Sequence, residues 1–411
     1  MPRRSVILPT FWLSAVVALA ALDVMPVAIW LYPLAWYPLL FLLDSLVLRL
    51  GGESFTSRLP ELGVLLFWSA VIWFGFEAIN LRLANWYYVY VPVSRWQRWT
   101  GAALAFATVV PAIVLPARLL ELRHVGDRLV THPIRIGRRD LNLALALGIA
   151  LLGVVLALPR ALYPLAWGAV WLIAEPLLHR TDPAHSLFAD IAAGRFGRIV
   201  RLMAGGLVAG IIWESLNALA RTRWIYTVPF LEHLKIFEMP LLGFVGFPFF
   251  ALEAWSLYYL LKRWTKWWTV IPATLAILVI LAAMDQRTFA STLPYLRQLP
   301  TVDAALAEKL ERAGLHDAFG VVRVGPAALI REGMPSQEAA ELYALARVAA
   351  LRGIGCRNAG ALAKAGYESV ERLGTADPHA VWEAVRRPDA PHPSPAEVRV
   401  WVAAARGLSA L

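Results

Sequence analysis

The sequence predicts an all-α protein: a polytopic transmembrane helix bundle of two tandem repeats of about four helices, one more helix, and a small soluble helical domain. Three observations lead to this fold class. The chain is 59% hydrophobic with a mean hydropathy of +0.58, whereas soluble domains are roughly half apolar. Apolar stretches long enough to cross a bilayer recur before residue 288. Segments of the first part of the chain recur in the second.

Nine apolar stretches are predicted transmembrane helices, because crossing the hydrocarbon takes about 20 apolar residues. They cover residues 5–22, 27–48, 62–83, 101–122, 141–158, 162–178, 203–220, 239–261 and 268–284. The first stretch follows Arg3 and Arg4 and also has the layout of a signal peptide. An apolar stretch also precedes the second repeat, where no signal peptide can lie, so we interpret residues 5–22 as a retained helix.

Two long matches define the repeat. LYPLAW occurs at residues 31–36 and again 131 positions later, which aligns Asp44 with Glu175. FEAINLRLANWYYVYVP matches WESLNALARTRWIYTVP at an offset of 137, which also aligns Pro111 with Pro248. We therefore predict four segments: repeat 1, repeat 2, a ninth helix with its linker, and the soluble domain. Their ranges are 1–130, 131–265, 266–287 and 288–411.

The distribution of basic residues predicts the orientation, because cytoplasmic loops carry an excess of Lys and Arg. With the N-terminus inside, the inner loops hold Arg3, Arg4, Arg49, Arg58 and the basic residues of 118–139, 180–201 and 262–266. The outer loops hold fewer: Arg82, Arg95, Arg98, Arg160, Arg221, Arg223 and Lys235. We expect a multi-pass protein of the bacterial inner membrane with a cytoplasmic N-terminus. Nine spans place the C-terminal domain outside, but one misassigned segment within 226–250 would reverse this, so its side stays open.

The C-terminal domain also contains a repeat, since residues 299–329 match residues 351–381 at an offset of 52. The second copy, with GIG followed by AGY, resembles a helix-hairpin-helix unit whose tight turn is Gly353, Ile354 and Gly355. The first copy has Thr301-Val302-Asp303 at that turn. The resemblance implies contact with a DNA backbone through turn amides. Basic and acidic residues are nearly balanced in 288–411, which disfavours nucleic acid and favours protein contact or self-association.

Acidic residues at membrane depth are the main candidates for function, because an ionised acid there is costly unless it is paired. They are Asp44, Glu77, Glu175, Glu214, Glu238 and Glu253. Such a carboxyl can be held neutral and can then donate a proton. For Asp44 and Glu175, closer to helix ends, we favour a structural role.

Glu77 and Glu214 each precede an asparagine by three residues, so Asn80 and Asn217 share their helix faces. One interpretation is a buried polar clamp between the two repeats. The other is a pair of catalytic or ligand-binding acids, oriented by the amides. Both alternatives stay open.

Aromatic residues follow both Glu–Asn pairs: Trp86 and Tyr88 in the first copy, Trp224 and Tyr226 in the second. An interfacial aromatic belt explains residues just beyond a helix end. The functional alternative is an aromatic wall that binds a polyene or a carbocation.

The stretch 237–255 begins with Glu238 and contains Pro240, Phe249-Phe250 and Glu253. With the duplicated Glu, Trp-x-Tyr and Pro pattern, it resembles the lycopene-cyclase domain of carotenoid synthesis, although that family's Pro-x-Glu-Glu element is missing here. The resemblance implies an isoprenoid cyclase in which a buried carboxyl protonates a double bond. Glu77, Glu214 and Glu238 would then be the acids.

The sequence contains none of the common motifs for nucleotide binding or hydrolysis, and no metal-ligand pattern. There is no Walker loop, GxGxxG, HExxH or GxSxG. The eight histidines lack metal-ligand spacing, and His233 is interpreted as a solvated loop residue. The single Cys356 excludes an intrachain disulfide. We expect no cofactor and no metal.

Three functions are compatible with these observations. The first is an integral membrane protein whose soluble domain contacts a protein partner or a second copy. The second is a membrane enzyme that acts on an isoprenoid or lipid through buried Glu residues. The third is a carrier with a site between the repeats, although carriers more often have inverted repeats and polar helix faces.

Overall fold

The computed structural model describes residues 6–227, 234–388 and 390–409, so His233 lies outside the described part. The chain forms two compact units. Unit 1 comprises residues 1–85, 99–221 and 228–282. Unit 2 comprises residues 86–98, 222–227 and 283–411. Unit 2 therefore combines the C-terminal domain with short segments from two loops of the membrane part, which the sequence analysis did not anticipate.

Unit 1 is a bundle of apolar helices. In chain order they are α1 Ile7–Ala21, α2 Met25–Ile29, α3 Leu31–Arg49, α4 Leu59–Leu83, α5 Arg95–Phe106, α6 Val109–Leu122, α7 Arg138–Ala157, α8 Pro159–Leu162, α9 Ala166–Thr181, α10 Leu187–Ala192, α11 Gly197–Leu219, α12 Gly246–Leu261 and α13 Trp267–Arg287. Helix α5 begins and α13 ends in unit 2. Two short strands, β3 Lys235–Ile236 and β4 Met239–Pro240, pair before α12.

Eight helical spans of the described chain are long and apolar enough to cross a membrane. They are Leu31–Arg49, Leu59–Leu83, Arg95–Leu122, Arg138–Ala157, Pro159–Thr181, Gly197–Leu219, Leu241–Trp264 and Trp267–Arg287. The predicted first span is the shorter apolar helix α1, of 15 residues. The predictions of a helical fold and of a membrane protein are confirmed.

Packing in unit 1 depends on small residues where helices approach closely. On α11, a Cβ added at Gly205 would meet the backbone carbonyl of Ile113 on α6. The next residue, Gly206, lies against the carbonyl of Phe247 on α12. Two adjacent glycines thus let α11 contact two helices at once, as small residues do in membrane bundles.

The outer helix faces are apolar and exposed. On α13, Leu275 and Val279 are 57% and 70% exposed. On α7, Leu143 and Ile149 are each 58% exposed. Large exposed apolar surfaces of this kind suit lipid contact rather than water.

Unit 2 consists of a small sheet and a helical bundle. Strand β1 Trp86–Val89 pairs antiparallel with β2 Arg223–Tyr226, and its other edge is bridged in parallel to Phe289. The helices are α14 Ala304–Arg312, α15 Ala318–Val324, α16 Pro326–Arg331, α17 Ser336–Ala349, α18 Gly355–Lys364, α19 Val370–Thr375, α20 Pro378–Val385 and α21 Pro395–Ser409.

Capping residues begin several of the helices of unit 2. The side chains of Asp303, Asp317, Ser369 and Asp377 each accept a backbone N–H of the first turn that follows. Such caps satisfy amides that the helix itself leaves without partners. The bundle closes on a fully buried core that includes Trp401.

Candidate functional site

Glu77 and Glu214 lie in the interior of unit 1, on α4 and α11, and both are fully buried. Trp73, one turn before Glu77, donates its indole N–H to Glu77 Oε1, and the Nε1–Oε1 distance is 3.1 Å. This bond orients one of the three predicted catalytic acids.

Aromatic rings surround this region. The ring of Trp73 lies 5.4 Å from that of Phe250 and 6.5 Å from that of Trp213, between centroids. Trp36 contacts Trp213 at 5.8 Å, and the ring of Trp167 stacks on that of Phe76 at 5.5 Å. We call these six rings the aromatic cluster: Trp36, Trp73, Phe76, Trp167, Trp213 and Phe250. The acids are therefore neighbours of π-systems contributed by five helices.

The two asparagines are also buried. Asn80 Oδ1 accepts the backbone N–H of Asn85 at 2.9 Å, just beyond Ala84, whose φ is +52°. Asn80 thus closes the C-terminal end of α4, a role that Asn takes readily because its amide bonds nearby backbone. Asn217 lies three residues after Glu214 on α11.

Asp44 is buried near the end of α3 and accepts hydrogen bonds from the segment that follows this helix. We call a carboxylate with this role a clasp. Its Oδ1 accepts the N–H of Phe55 at 2.8 Å, and its Oδ2 accepts the hydroxyl of Ser54 at 2.6 Å and that of Thr56. These bonds fix the 3-10 turn Phe55–Ser57 that connects α3 to α4. An open groove lies beside this clasp and is lined by side chains of α3, the turn, α4 and α6.

Glu175 forms a second clasp, at the end of α9. Its Oε1 accepts the hydroxyl of Ser186 at 2.6 Å and the N–H of Phe188 at 2.9 Å, and its Oε2 accepts the hydroxyl of Ser256 at 2.5 Å. Like Asp44, it holds the chain that returns from its own helix. These three donors place the carboxylate in a polar setting inside the bundle.

Glu253 and Glu238 lie in different settings. Glu253, on α12, is fully buried, and its Oε1 lies 3.4 Å from the backbone N of Trp171 on α9. Glu238 is buried in the turn between β3 and β4, which is three residues short of the span that begins at Leu241.

Trp86, Tyr88, Trp224 and Tyr226 lie on the strand pair β1–β2 of unit 2, not on helices. Trp86 pairs with Tyr226, and Tyr88 pairs with Trp224. The sequence singled out these aromatic residues but not their pairing. The alternation of aromatic and β-branched residues in WYYVYV and RWIYTV is a strand signal that could have revealed it.

The turn of Gly353, Ile354 and Gly355 packs against segments of the membrane part within unit 2. Gly353 donates its N–H to the hydroxyl oxygen of Tyr90 at 2.8 Å. A Cβ at Gly353, whose φ is +86°, would collide with Val89, and one at Gly355 would meet Ser291. The turn amide and both glycines are therefore used in contact with the strand region.

Tyr90 is the residue that sequence reasoning missed at this turn. It is fully buried, its hydroxyl lies 3.4 Å from the carbonyl oxygen of Ala349, and its ring contacts Phe319 at 5.1 Å. The backbone of its strand pairs with the segment after α13: Tyr88 N–H donates to Thr288 O, and Val91 N–H to Ser291 O. Tyr90 connects this sheet to the helices of the C-terminal domain.

Two titratable groups of unit 2 have shifted pKa values. Burial raises the pKa of Cys356 to about 12, with Asp317 adding to the shift, so the thiol stays protonated and is a poor nucleophile. Burial opposes the charge on His392, but its hydrogen bond to Glu397, with Nδ1–Oε1 at 2.5 Å, raises its pKa overall. Across the described residues, no group of three or more His, Cys, Asp or Glu side chains could hold a metal ion.

Comparison with known proteins gives no match: no family model, no curated protein and no solved structure is similar to this chain. The resemblances drawn from its sequence, to helix-hairpin-helix units and to lycopene-cyclase domains, stay predictions.

Proposed function

We propose that this protein is a membrane anchor that holds its C-terminal helical domain at one membrane face for contact with a protein partner or a second copy. The proposal rests on which segments of the chain form unit 2. Two loops of the membrane part, residues 86–98 and 222–227, fold together with residues 283–411. Unit 2 is thus built from three segments of the chain, two of which lie between candidate spans of the membrane part.

The hairpin turn at Gly353 argues against contact with nucleic acid. Helix-hairpin-helix units contact phosphates through free turn amides, and here the Gly353 N–H is bonded to Tyr90. Basic and acidic residues are nearly balanced in the domain, so a phosphate backbone gains little electrostatic attraction. A protein partner fits this surface better.

The number of candidate spans between its segments supports the placement of all parts of unit 2 on one side of the membrane. Four candidate spans separate residues 86–94 from residues 222–227, and two more separate these from residue 288. An even number of crossings returns the chain to the same face each time. The opposite face carries the basic-rich loops around Arg123–Arg139, Arg195–Arg201 and Lys262–Lys266. By the positive-inside rule we place the domain outside the inner membrane. The eight candidate spans alone would leave the start of α3 on that same side, so a cytoplasmic N-terminus requires the shorter apolar helix α1 as a ninth crossing.

We further propose that unit 1 is a tandem duplication, and its helix packing supports this. If α3, α4 and α6 correspond to α9, α11 and α12, each packed pair has a counterpart: α3–α6 with α9–α12, and α4–α6 with α11–α12. The contacts between halves also match, because α6 packs on α11 and α12 packs on α4. Parallel repeats related by an axis along the membrane normal predict this pattern.

Side chains follow the same correspondence. Trp36 contacts Trp213, and its counterpart Trp167 contacts Phe76 at the position equivalent to Trp213. The register of β1 and β2 is symmetric as well, since each pairs a Trp with the other's Tyr. Two equal copies facing each other across an axis would give these pairs.

Photo-cross-linking tests the anchor function. A photoreactive residue at Ile330 or Leu408, exposed by 44% and 49% in unit 2, is expected to give a protein adduct in native membranes. The same residue at Val279 on α13, which faces outward from the bundle, is the lipid-facing control. Adduct mass and light scattering of the purified chain distinguish a second copy from another partner. Absence of protein adducts from both positions of the domain would contradict the proposal.

A second candidate function is acid chemistry on an isoprenoid or lipid, favoured by the aromatic cluster around Glu77 and Glu214. Aromatic faces stabilise carbocations, and a buried carboxyl can supply the initiating proton. Glu214→Gln keeps the side-chain shape but removes the acid, so lipid extracts from cells making this variant should lose a product that wild-type cells contain. Unchanged isoprenoid profiles would contradict this candidate. The carrier function stays a prediction.

A further inference from the structure

Glu253 is a buried acid for which the anchor function has no use. It is fully buried near the middle of the span Leu241–Trp264. Only Oε1 has a partner, the backbone N of Trp171, and within the described residues Oε2 has none. No described basic side chain forms an ion pair with it.

This setting disfavours the ionised carboxylate. A charge at membrane depth that lacks a cation and has few donors is poorly solvated, so the neutral acid is the favoured form. The neutral acid carries a proton that it can release only when the surroundings change. Glu253 therefore has the properties of a proton-binding group rather than of a clasp such as Glu175.

A chain of hydrogen bonds leads from the basic face toward this acid. His179, half-exposed at the end of α9, lies 2.9 Å through Nδ1 from Ser186 Oγ. Ser186 donates to Glu175 Oε1, and Ser256 donates to Glu175 Oε2. Ser256 lies three residues after Glu253 on α12, so the two share a helix face about one turn apart.

Other titratable groups surround this interface, and any change in pH acts on them too. They are Asp182, His185, Asp190, Arg198, Tyr258, Tyr259 and Lys262 on the basic side, and Glu77 and Glu214 on α4 and α11. Several are already paired: His185 with Asp182, and Asp190 with Arg198. Glu253 has no ion pair of this kind, and its one described hydrogen bond is the 3.4 Å contact with the backbone N of Trp171.

The other half of unit 1 packs without such an acid. At the offset of 137 set by Pro111 and Pro248, Glu253 corresponds to Pro116 and Ser256 to Leu119. The first half keeps Asp44 at the position of Glu175 but has apolar residues deeper along the same interface. The helix packing therefore does not require a carboxyl at this depth. This comparison rests on the proposed duplication; the other observations do not.

We propose that Glu253 is a reversible proton-binding site at membrane depth, supplied from the basic face through His179, Ser186, Glu175 and Ser256. The carboxylate takes up one proton from water at that face and returns it along the same groups. The only bonds made or broken are O–H and N–H bonds. This site is independent of the anchor function and of the acids Glu77 and Glu214.

Dicyclohexylcarbodiimide tests the protonated state, because it adds to neutral carboxyl groups in apolar surroundings. The full chain in lipid vesicles should give an adduct on the peptide that contains Glu253, and Glu253→Gln should remove it. Asp285, which is ion-paired with Arg98, is the control that should stay unmodified. Infrared spectra give a second readout that needs no reagent access: Glu253→Gln should lose a protonated-carboxyl C=O band.

The infrared C=O band of Glu253 also tests the proposed proton route from His179 to Ser256. Hydrogen–deuterium exchange of the Glu253 carboxyl should slow several-fold in Ser256→Ala and in His179→Gln. Ser215→Ala on α11, whose hydroxyl bonds only the Ile211 carbonyl oxygen among described partners, should leave the rate unchanged. An unaltered C=O band in Glu253→Gln would overturn the proton site. An unaltered exchange rate in both route variants would overturn the path.

Discussion

At the scale of single residues, Tyr90 does most to explain how unit 2 holds together. Its hydroxyl oxygen accepts the Gly353 N–H, its ring packs on Phe319, and its backbone carbonyl accepts the hydroxyl of Thr222. One residue, through its side chain and its backbone carbonyl, therefore joins two membrane loops and the domain turn. Its backbone φ of +53° is unusual for a residue with a Cβ, which indicates that the surrounding contacts hold it in place.

Tyr90→Phe should destabilise the C-terminal domain while preserving the packing of the ring. The buried Gly353 amide loses its acceptor, which costs about 1–3 kcal/mol. Amide exchange of Gly353 and of the start of α18 in the full chain would measure the loss. Tyr367→Phe, a half-buried tyrosine elsewhere in the domain, is the matched control. Equal protection in both variants would contradict the role given to Tyr90.

His392 and Glu397 give the domain a pH-dependent contact. Glu397 is almost completely buried, and its Oε1 bonds His392 Nδ1 at 2.5 Å. The pKa of His392 is raised above its ordinary value of 6.5 in the folded protein. A raised pKa means that the folded state binds the proton more tightly, so this contribution is complete below about pH 6.5 and is lost as pH rises through the raised pKa.

The expected result is that α21, which begins beside this pair, loses protection as the pH rises through the raised pKa of His392. The protection of Pro395–Ser409 against hydrogen exchange in the full chain, corrected for the intrinsic pH dependence, should fall several-fold in the wild type as the pH rises. His392→Gln removes the titrating group, so protection should be lower and nearly independent of pH. A wild type whose protection is flat between pH 6 and 9 would show that the pair does not couple to folding.

At the scale of elements, two clasps organise the membrane helices. Asp44 and Glu175 each accept a serine hydroxyl and a backbone N–H from the segment that follows their own helix. The sequence paired these acids by offset and favoured a structural role for both, but it could not identify their donors. Donors such as Ser54 and Ser186 lie in polar loops whose conformation no periodicity describes.

Asp44→Ala should loosen the turn between α3 and α4. The substitution removes the acceptor of the hydrogen bonds from Ser54, Phe55 and Thr56, which is mostly shielded from water. We therefore expect the free energy of unfolding to fall by about 1–3 kcal/mol. Unfolding of the purified protein in mixed micelles would measure it. Asp44→Asn keeps one acceptor oxygen and should cost less, and Glu53→Gln, in an exposed ion pair with Arg58, should cost little. A larger loss in Glu53→Gln than in Asp44→Ala would contradict the clasp.

The sequence predicted the long elements well because a transmembrane helix has an apolar composition over about 20 consecutive residues. All predicted spans from residue 27 onward correspond to apolar helices. Short elements were harder to predict. Strands β1 and β2 have four residues each and pair across more than 130 positions, and Glu238 lies in a two-residue turn that no helical period marks. Their signals are local and weak, whereas the pairing that stabilises them is distant.

At the scale of the whole molecule, the division into units follows contacts rather than chain order. Sequence composition changes near residue 288, and that change correctly marks where long apolar stretches end. It could not show that two loops of the membrane part belong with the C-terminal domain, because loop residues join a unit through partners such as Tyr90 and Gly353. The central proposal concerns topology: we place the domain and both loops on the membrane face opposite the basic-rich loops, because an even number of candidate spans separates them.

Cysteine labelling tests this claim most directly. In a Cys356→Ala background, Ser336→Cys places an exposed thiol on the domain, and His132→Cys places one in an exposed basic loop. A membrane-impermeant maleimide applied to spheroplasts should label Ser336→Cys at once and His132→Cys only after the membrane is opened. The reverse order, or labelling of both before opening, would contradict the account.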